Sequence, residues 1–137
     1  MSEAQDTHSE ASQFQLPPVG SIAWQDLTVA NAPEVRDFYC QVVGWQYTDH
    51  DMGDYADYNI NLPESGQTVA GVCHARGANA NVPPQWLVYI VVADVAESAQ
   101  RCRDLGGRVL DGPREMGGQT FCVIQDPAGA VAALIGP

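Results

Sequence analysis

A chain of 137 residues that is 45% apolar can build one compact domain, or two small units sharing a core, and is not globally disordered. Seventeen acids against six basic residues, all of them arginine, give a formal charge of −11, so phosphate backbones and anionic lipid surfaces are poor partners. No apolar run is long enough to suggest a membrane span.

Residues 1–18 carry Glu3, Asp6 and Glu10 among small polar residues and lack the basic start and apolar stretch of a signal peptide. They are expected to form a disordered or loosely packed acidic tail, with residues 19–137 as a single domain. After Pro17 and Pro18, Ile22–Val29 alternates as a strand does. Ala23, Leu27 and Val29 fall on one face, and Trp24, Asp26 and Thr28 on the other. Asn31 is placed to cap a helix, with Pro33 in the first turn and Glu34 near the positive end. Val35, Phe38, Tyr39, Val42 and Val43 follow at helical spacing, and Gly44 supplies the stop. Residues 45–48, 55–60 and 68–74 read as short strands, joined by turns at 49–53 and 63–66.

Residues 77–84 are small and polar, end in two prolines, and read as a linker. Beyond them the pattern restarts. Residues 86–92 form a strand, and Asp94 caps a helix that runs to Leu105 and ends at Gly106 and Gly107. Glu97 and Arg101 make an i,i+4 pair on its exposed side. Residues 108–110, 119–125 and 130–135 are three more strands. Module one (19–76) and module two (85–137) thus share one order of elements. An offset of 62 carries Trp24 to Trp86, Val29 to Val91, Cys40 to Cys102 and Gly44 to Gly106, as an internal duplication would. Cys40, Cys73, Cys102 and Cys122 form no C-x-x-C and sit among apolar neighbours, which points to reduced structural thiols in a cytoplasm.

Phe38-Tyr39 followed by Val43-Gly44-Trp45 resembles the helix ending F-Y-x-x-x-L-G-[WF] of the vicinal oxygen chelate superfamily. That group includes glyoxalase I, extradiol dioxygenases, and bleomycin- and fosfomycin-resistance proteins. Leu105-Gly106-Gly107 resembles the second helix end of these proteins, and Asp126-Pro127-Ala128-Gly129 their D-P-x-G turn. Pro84-Gln85-Trp86-Leu87-Val88-Tyr89 is similar to the start of module two in a bacterial glyoxalase-like subgroup. The resemblance covers roughly residues 19 to 136. It implies an α+β fold of two tandem βαβββ modules, forming a curved mixed sheet and a cleft with the helices outside. It also implies a homodimer, including forms that exchange modules about the linker.

In metal-dependent members a divalent ion sits in the cleft, held by His, Gln or Glu from the first and last strands of each module. Alignment through Phe38-Tyr39 puts Trp24 and Trp86 at the first-strand positions. Ala133 takes the last-strand position of module two, and Ala70 or Gly71 that of module one. Indole offers only a donor, and Ala and Gly offer no side-chain ligand, so no metal and no other cofactor is expected. A relocated ion near His50, His74 and the acids of 49–54 is the alternative.

Asp26 shares the face of Trp24. Buried there, it would be a general base or would hold a cationic ligand; otherwise it reaches solvent. Trp24 and Trp86 on the concave face would sandwich a flat or apolar guest, or would fill the space of the lost metal site. Tyr55 and Tyr58 are candidate cleft neighbours, and His74 stands at the rim. Three functions stay open: metal-free small-molecule binding, a divergent metal-dependent lyase or dioxygenase, and a non-catalytic interaction module. A small-molecule partner is expected, with no nucleic acid and no membrane.

Overall fold

The structure, a computed structural model, describes residues 15–137. Most of the expected tail lies outside the described residues. Of its last residues, Leu16 is half-buried against the core of module two, while Gln15, Pro17 and Pro18 are exposed.

The described residues form one mixed sheet of eight strands with two α-helices. Module one contributes β1 (Ile22–Val29), α1 (Ala32–Val43), β2 (Gln46–Asp51), β3 (Ala56–Asn61) and β4 (Thr68–His74). Module two contributes β5 (Leu87–Val91), α2 (Val95–Asp104), β6 (Arg108–Met116), β7 (Gln119–Gln125) and β8 (Val131–Gly136). The strand order is β2-β3-β4-β1-β5-β8-β7-β6, so the two modules join edge to edge through antiparallel β1 and β5. Each of those strands pairs in parallel with the last strand of its own module. Parallel partners need a long crossover, and in each module a helix and two strands supply it. The expected α+β fold with tandem βαβββ modules is the observed one. None of the described helices is long and apolar enough to cross a membrane.

Local signals explain the helix ends. Pro33 lies in the first turn of α1, and Gly44 closes it at φ 88° while its N–H donates to the Cys40 carbonyl at 2.9 Å. Asn31 occupies the cap position, but its side chain makes no capping bond. Asp94 does cap α2, accepting from the Glu97 N–H at 3.0 Å, and Arg101 meets Glu97 at 3.5 Å.

Two strands are longer than their sequence signals. β2 runs through Asp51, so the expected turn at 49–53 begins later: Gly53 N–H donates to Asp51 Oδ1, and Met52 N–H donates to the Tyr55 carbonyl. β2 is an edge strand exposed along its length, so it carries no apolar alternation to read. β6, at the other edge, continues past Gly112-Pro113 with its register shifted between Asp111 and Arg114. An edge strand tolerates proline because one side of it needs no ladder donors. Gly112, at φ 82°, lies where a Cβ would stand 2.7 Å from the Phe121 carbonyl.

The core has three parts. Leu27, Val29, Ile60, Ala70 and Val72 pack beneath α1. Val95, Ala99, Cys122 and Leu134 pack beneath α2. The third part fills the inner face of module two, where Leu87, Tyr89, Val91, Phe121, Val123, Ala133 and Ile135 close around Val82. Val82 comes from the expected linker, which this one buried residue anchors to the core while most of its neighbours stay exposed.

Strand register corrects the duplication. Asp26 lies beside Gly71, and in the same parallel relation Tyr89 lies beside Ala133. The first strands therefore correspond one residue further along than the offset of 62 implies. Trp24 has Leu87 as its counterpart, not Trp86.

Candidate functional site

The inner face of module one is open. It forms a cleft of about 380 Å³, within the range of small-ligand sites. β1 supplies Trp24, Asp26 and Thr28 from the face opposite Leu27 and Val29, as alternation requires. β4 adds Gly71 and Cys73, β3 adds Asp57 and Asn59, and β2 adds His50. Module two closes the far side with Tyr89, Arg114, Met116 and Phe121, and the 77–84 segment adds Asn79 and Val82.

The two modules meet at Asp26. Tyr89 Oη donates to it, 3.0 Å from Oδ1 and 3.1 Å from Oδ2. Burial pushes the Asp26 carboxyl up to about 6 and nearby Asp57 adds to the rise, while hydrogen bonds from Tyr89 and Trp24 pull the other way. Burial and the adjacent Asp26 hold the Tyr89 hydroxyl far above the ordinary phenol value, and burial does the same to the Cys73 thiol. Cys73 is therefore a protonated thiol near neutral pH and a poor nucleophile. Opposite them, Arg114 is fixed by Asp111 at 2.9–3.3 Å and by Asn79 Oδ1 at 2.7 Å, with its guanidinium 4.8 Å above the Phe121 ring.

The expected site residues divide. Trp24 and Asp26 face the cleft together. Trp86 does not: it precedes β5 and packs on the outer side of the sheet, where its indole N–H donates to Tyr39 Oη at 3.0 Å beside Trp45. The two indoles lie on opposite faces and cannot sandwich a guest. The cause is period-two alternation, in which a slip of one residue reverses the face. Tyr58 borders the cleft, but its ring packs under α1 against Tyr47 and Arg36. Tyr55 turns away, with the Arg76 guanidinium 3.9 Å above it. His74 is also outside the lining. Its ring sits against Tyr55 and Tyr58, and its Nδ1 pairs with Asp57 Oδ1 at 3.1 Å.

Residues 20–134 match the sequence pattern of the Glyoxalase/Bleomycin resistance protein/Dioxygenase superfamily. The chain belongs to this superfamily. Among individual proteins, it is 27% identical over 111 residues to the anthracycline biosynthesis protein DnrV of Streptomyces peucetius. That match covers 81% of this chain but only 39% of DnrV, so the chain spans about two fifths of that relative's length. Two solved structures show the same fold at 18% identity, each covering 87% of this chain and 95% of the other. One is a methylmalonyl-CoA epimerase in complex with methylmalonyl-CoA and NH4+, at a TM-score of 0.52. The second is a Streptomyces coelicolor methylmalonyl-CoA epimerase in complex with 2-nitronate-propionyl-CoA, at 0.53.

The residues at the metal positions of this superfamily do not fit a metal ion. With the corrected register these positions read Trp24, Gly71, Leu87 and Ala133, and none has a side chain able to ligate a divalent cation. Among the described residues no three His, Cys, Asp or Glu side chains converge as a metal site, and His50 and His74 stand apart in role.

Tyr89, Arg114 and Asn79 are among the cleft residues that escaped the sequence reading. Tyr89 was open to discovery, because alternation from Leu87 puts it on the inner face. Arg114 and Asn79 carried no such signal. One follows the irregular step in β6, and the other lies in a segment read as a spacer.

Proposed function

We propose that this superfamily member binds a flat, largely apolar small molecule in the cleft over module one, without the divalent metal of its metal-dependent relatives. The observation that carries this reading is an open cleft walled by Trp24, Met116 and Phe121 in a fold whose four superfamily ligand positions all lack ligating side chains. The likeness to an anthracycline biosynthesis protein makes a fused polycyclic aromatic the first guest to try. The asymmetric filling of the fold supports one guest per chain: module two is packed around Val82 and Leu16, and module one is open. The lyase or dioxygenase alternative loses its motive, since it needs the missing ligands.

Fluorescence titration with an anthracycline aglycone tests the reading. Saturable quenching is expected in the native protein, with most of it lost in Trp24→Phe and kept in Trp86→Phe, because only Trp24 faces the cleft. Equal loss in both variants, or no quenching by this or other polycyclic aromatics, rejects cleft binding. About one divalent ion per chain in elemental analysis of protein purified without chelators rejects the metal-free part.

Two broader assignments belong to the same proposal. A cytoplasmic setting suits the four free thiols. A homodimer through the outer face of α1 would cover Phe38 and Val42, which lie one helical turn apart and are 57% and 64% exposed. A monomer mass in sedimentation at micromolar concentration removes the dimer.

A further inference from the structure

Binding of an apolar guest leaves one feature of the cleft without a purpose. Asp26 faces the cavity, and no cationic side chain pairs with it among the described residues. A carboxylate has about four acceptor sites. The Tyr89 hydroxyl is shared by both of its oxygens and Trp24 bonds to it as well, which still leaves acceptor capacity directed at whatever fills the cleft. A group kept there only for packing would be better replaced by an apolar one, since burying a charge is costly.

A second feature stands on the module-two side of the cleft. Tyr89 stacks on Phe121 at 5.7 Å, and the Arg114 guanidinium lies over Phe121. Nε and Nη2 of Arg114 are committed to Asp111 and Asn79, while Nη1 makes no hydrogen bond among the described residues. A contiguous chain of contacts therefore joins an acceptor, Asp26, to a fixed donor, Arg114. That pairing suits removal of a proton from carbon beside a carbonyl, where negative charge develops on oxygen.

We propose that the cleft catalyses metal-free proton transfer at a carbon adjacent to a carbonyl of its bound guest, with Asp26 as the base and Arg114 Nη1 as the donor to the developing oxyanion. The inference rests on the cleft being a ligand site. In the step, an Asp26 carboxylate oxygen takes the proton as the C–H bond breaks, and that electron pair moves into the carbonyl to give an enolate. Return of a proton from the Asp26 carboxyl to carbon restores the carboxylate, so nothing is oxidised or reduced. Tyr89 is a positioning residue, holding Asp26 by its hydroxyl. The titratable and charged groups around Asp26 are Tyr89 from β5, Cys73 from β4, Asp57 from β3, His50 from β2 and Arg114 from β6. The raised Asp26 value, about 6, places its ionisation just below neutrality, where a base is both available and effective.

The probe is 2-tetralone, a bicyclic aromatic ketone with acidic hydrogens, incubated with the full chain in deuterated buffer and followed by proton NMR. Exchange about a hundredfold above buffer is expected, the scale of general-base catalysis. After buffer subtraction it should rise with pH through about 6 and level off above, as Asp26 ionises. Asp26→Asn should fall to the buffer rate while 2-tetralone still quenches Trp24. Tyr89→Phe should move the midpoint to higher pH, because the lost hydrogen bond favours the ionised carboxyl. Quenching without exchange in the native protein, or undiminished exchange in Asp26→Asn, overturns proton transfer and leaves binding standing. An absence of quenching removes the binding reading for this ketone class and the inference with it.

Discussion

Phe121→Ala is expected to destabilise the protein by about 3–5 kcal/mol, the range for deleting a large buried aromatic. Phe121 is only 2% exposed, stacks on Tyr89 and sits beneath Arg114, at the boundary between the filled and open halves of the inner face. Its removal takes contacts from the module-two core and deprives Tyr89 of its support. For a domain of this size the loss corresponds to a melting temperature lower by about 10–20 °C, measured by calorimetry. Leu105→Ala, at the exposed end of α2, should change stability by about 0.5 kcal/mol or less. Equal shifts in the two variants would mean that the inner face of module two is not the packed core described here.

Gly71→Leu should have the largest effect on ligand binding. Gly71 lies between β1 and β3 at the floor of the cleft, and its backbone is not in the left-handed region. A Cβ added there would stand 3.4 Å from the Asp26 Cβ and 3.8 Å from Trp24 Cζ2, close to ordinary contact. The backbone therefore accepts a side chain, but the branch of leucine has to enter the cavity or displace Trp24 and Asp26. A single surplus methylene in a fitted pocket weakens binding by about 10–200-fold, so leucine should cost at least about a hundredfold in affinity. The Trp24 titration with the anthracycline aglycone reads this, and a melting curve checks that the fold persists. Unchanged affinity in a folded Gly71→Leu variant would place the ligand elsewhere.

The two substitutions bear on different parts of the molecule, and the difference follows from the duplication. Equivalent inner faces have diverged: one has been filled by Leu16, Val82 and Phe121, and the other keeps glycine at its floor. Gly71 and Ala133 occupy matching positions beside Asp26 and Tyr89, where metal-dependent relatives carry ligands. In place of four ligands around an ion, the cleft of this chain has a hydrogen bond across the module boundary, from Tyr89 to Asp26.

Much of this was legible in the amino-acid sequence, and the legible part was local. Ile22–Val29, Thr68–His74 and Gln119–Gln125 show their strands in alternation, and Gly44 and Asp94 end and begin helices by backbone and capping chemistry confined to a few residues. The repeated order of elements, and with it the superfamily, also followed from sequence. So did Trp24 and Asp26 as partners on one face, because alternation within a single strand needs no knowledge of its neighbours. Only the tertiary structure decided the rest. Trp86 went to the outer face because a correspondence one residue out reverses a strand's sides, and pairing across β1, β4, β5 and β8 sets that correspondence. Tyr55 and His74 left the cleft because Arg76 and Asp57 hold them elsewhere. Arg114 and Asn79 entered it through a contact between residues 35 positions apart. Side-chain direction within a strand is a property of the chain's own geometry, but the cavity a side chain meets is made by segments distant in sequence, and that is why the cleft's far wall appeared only in the fold.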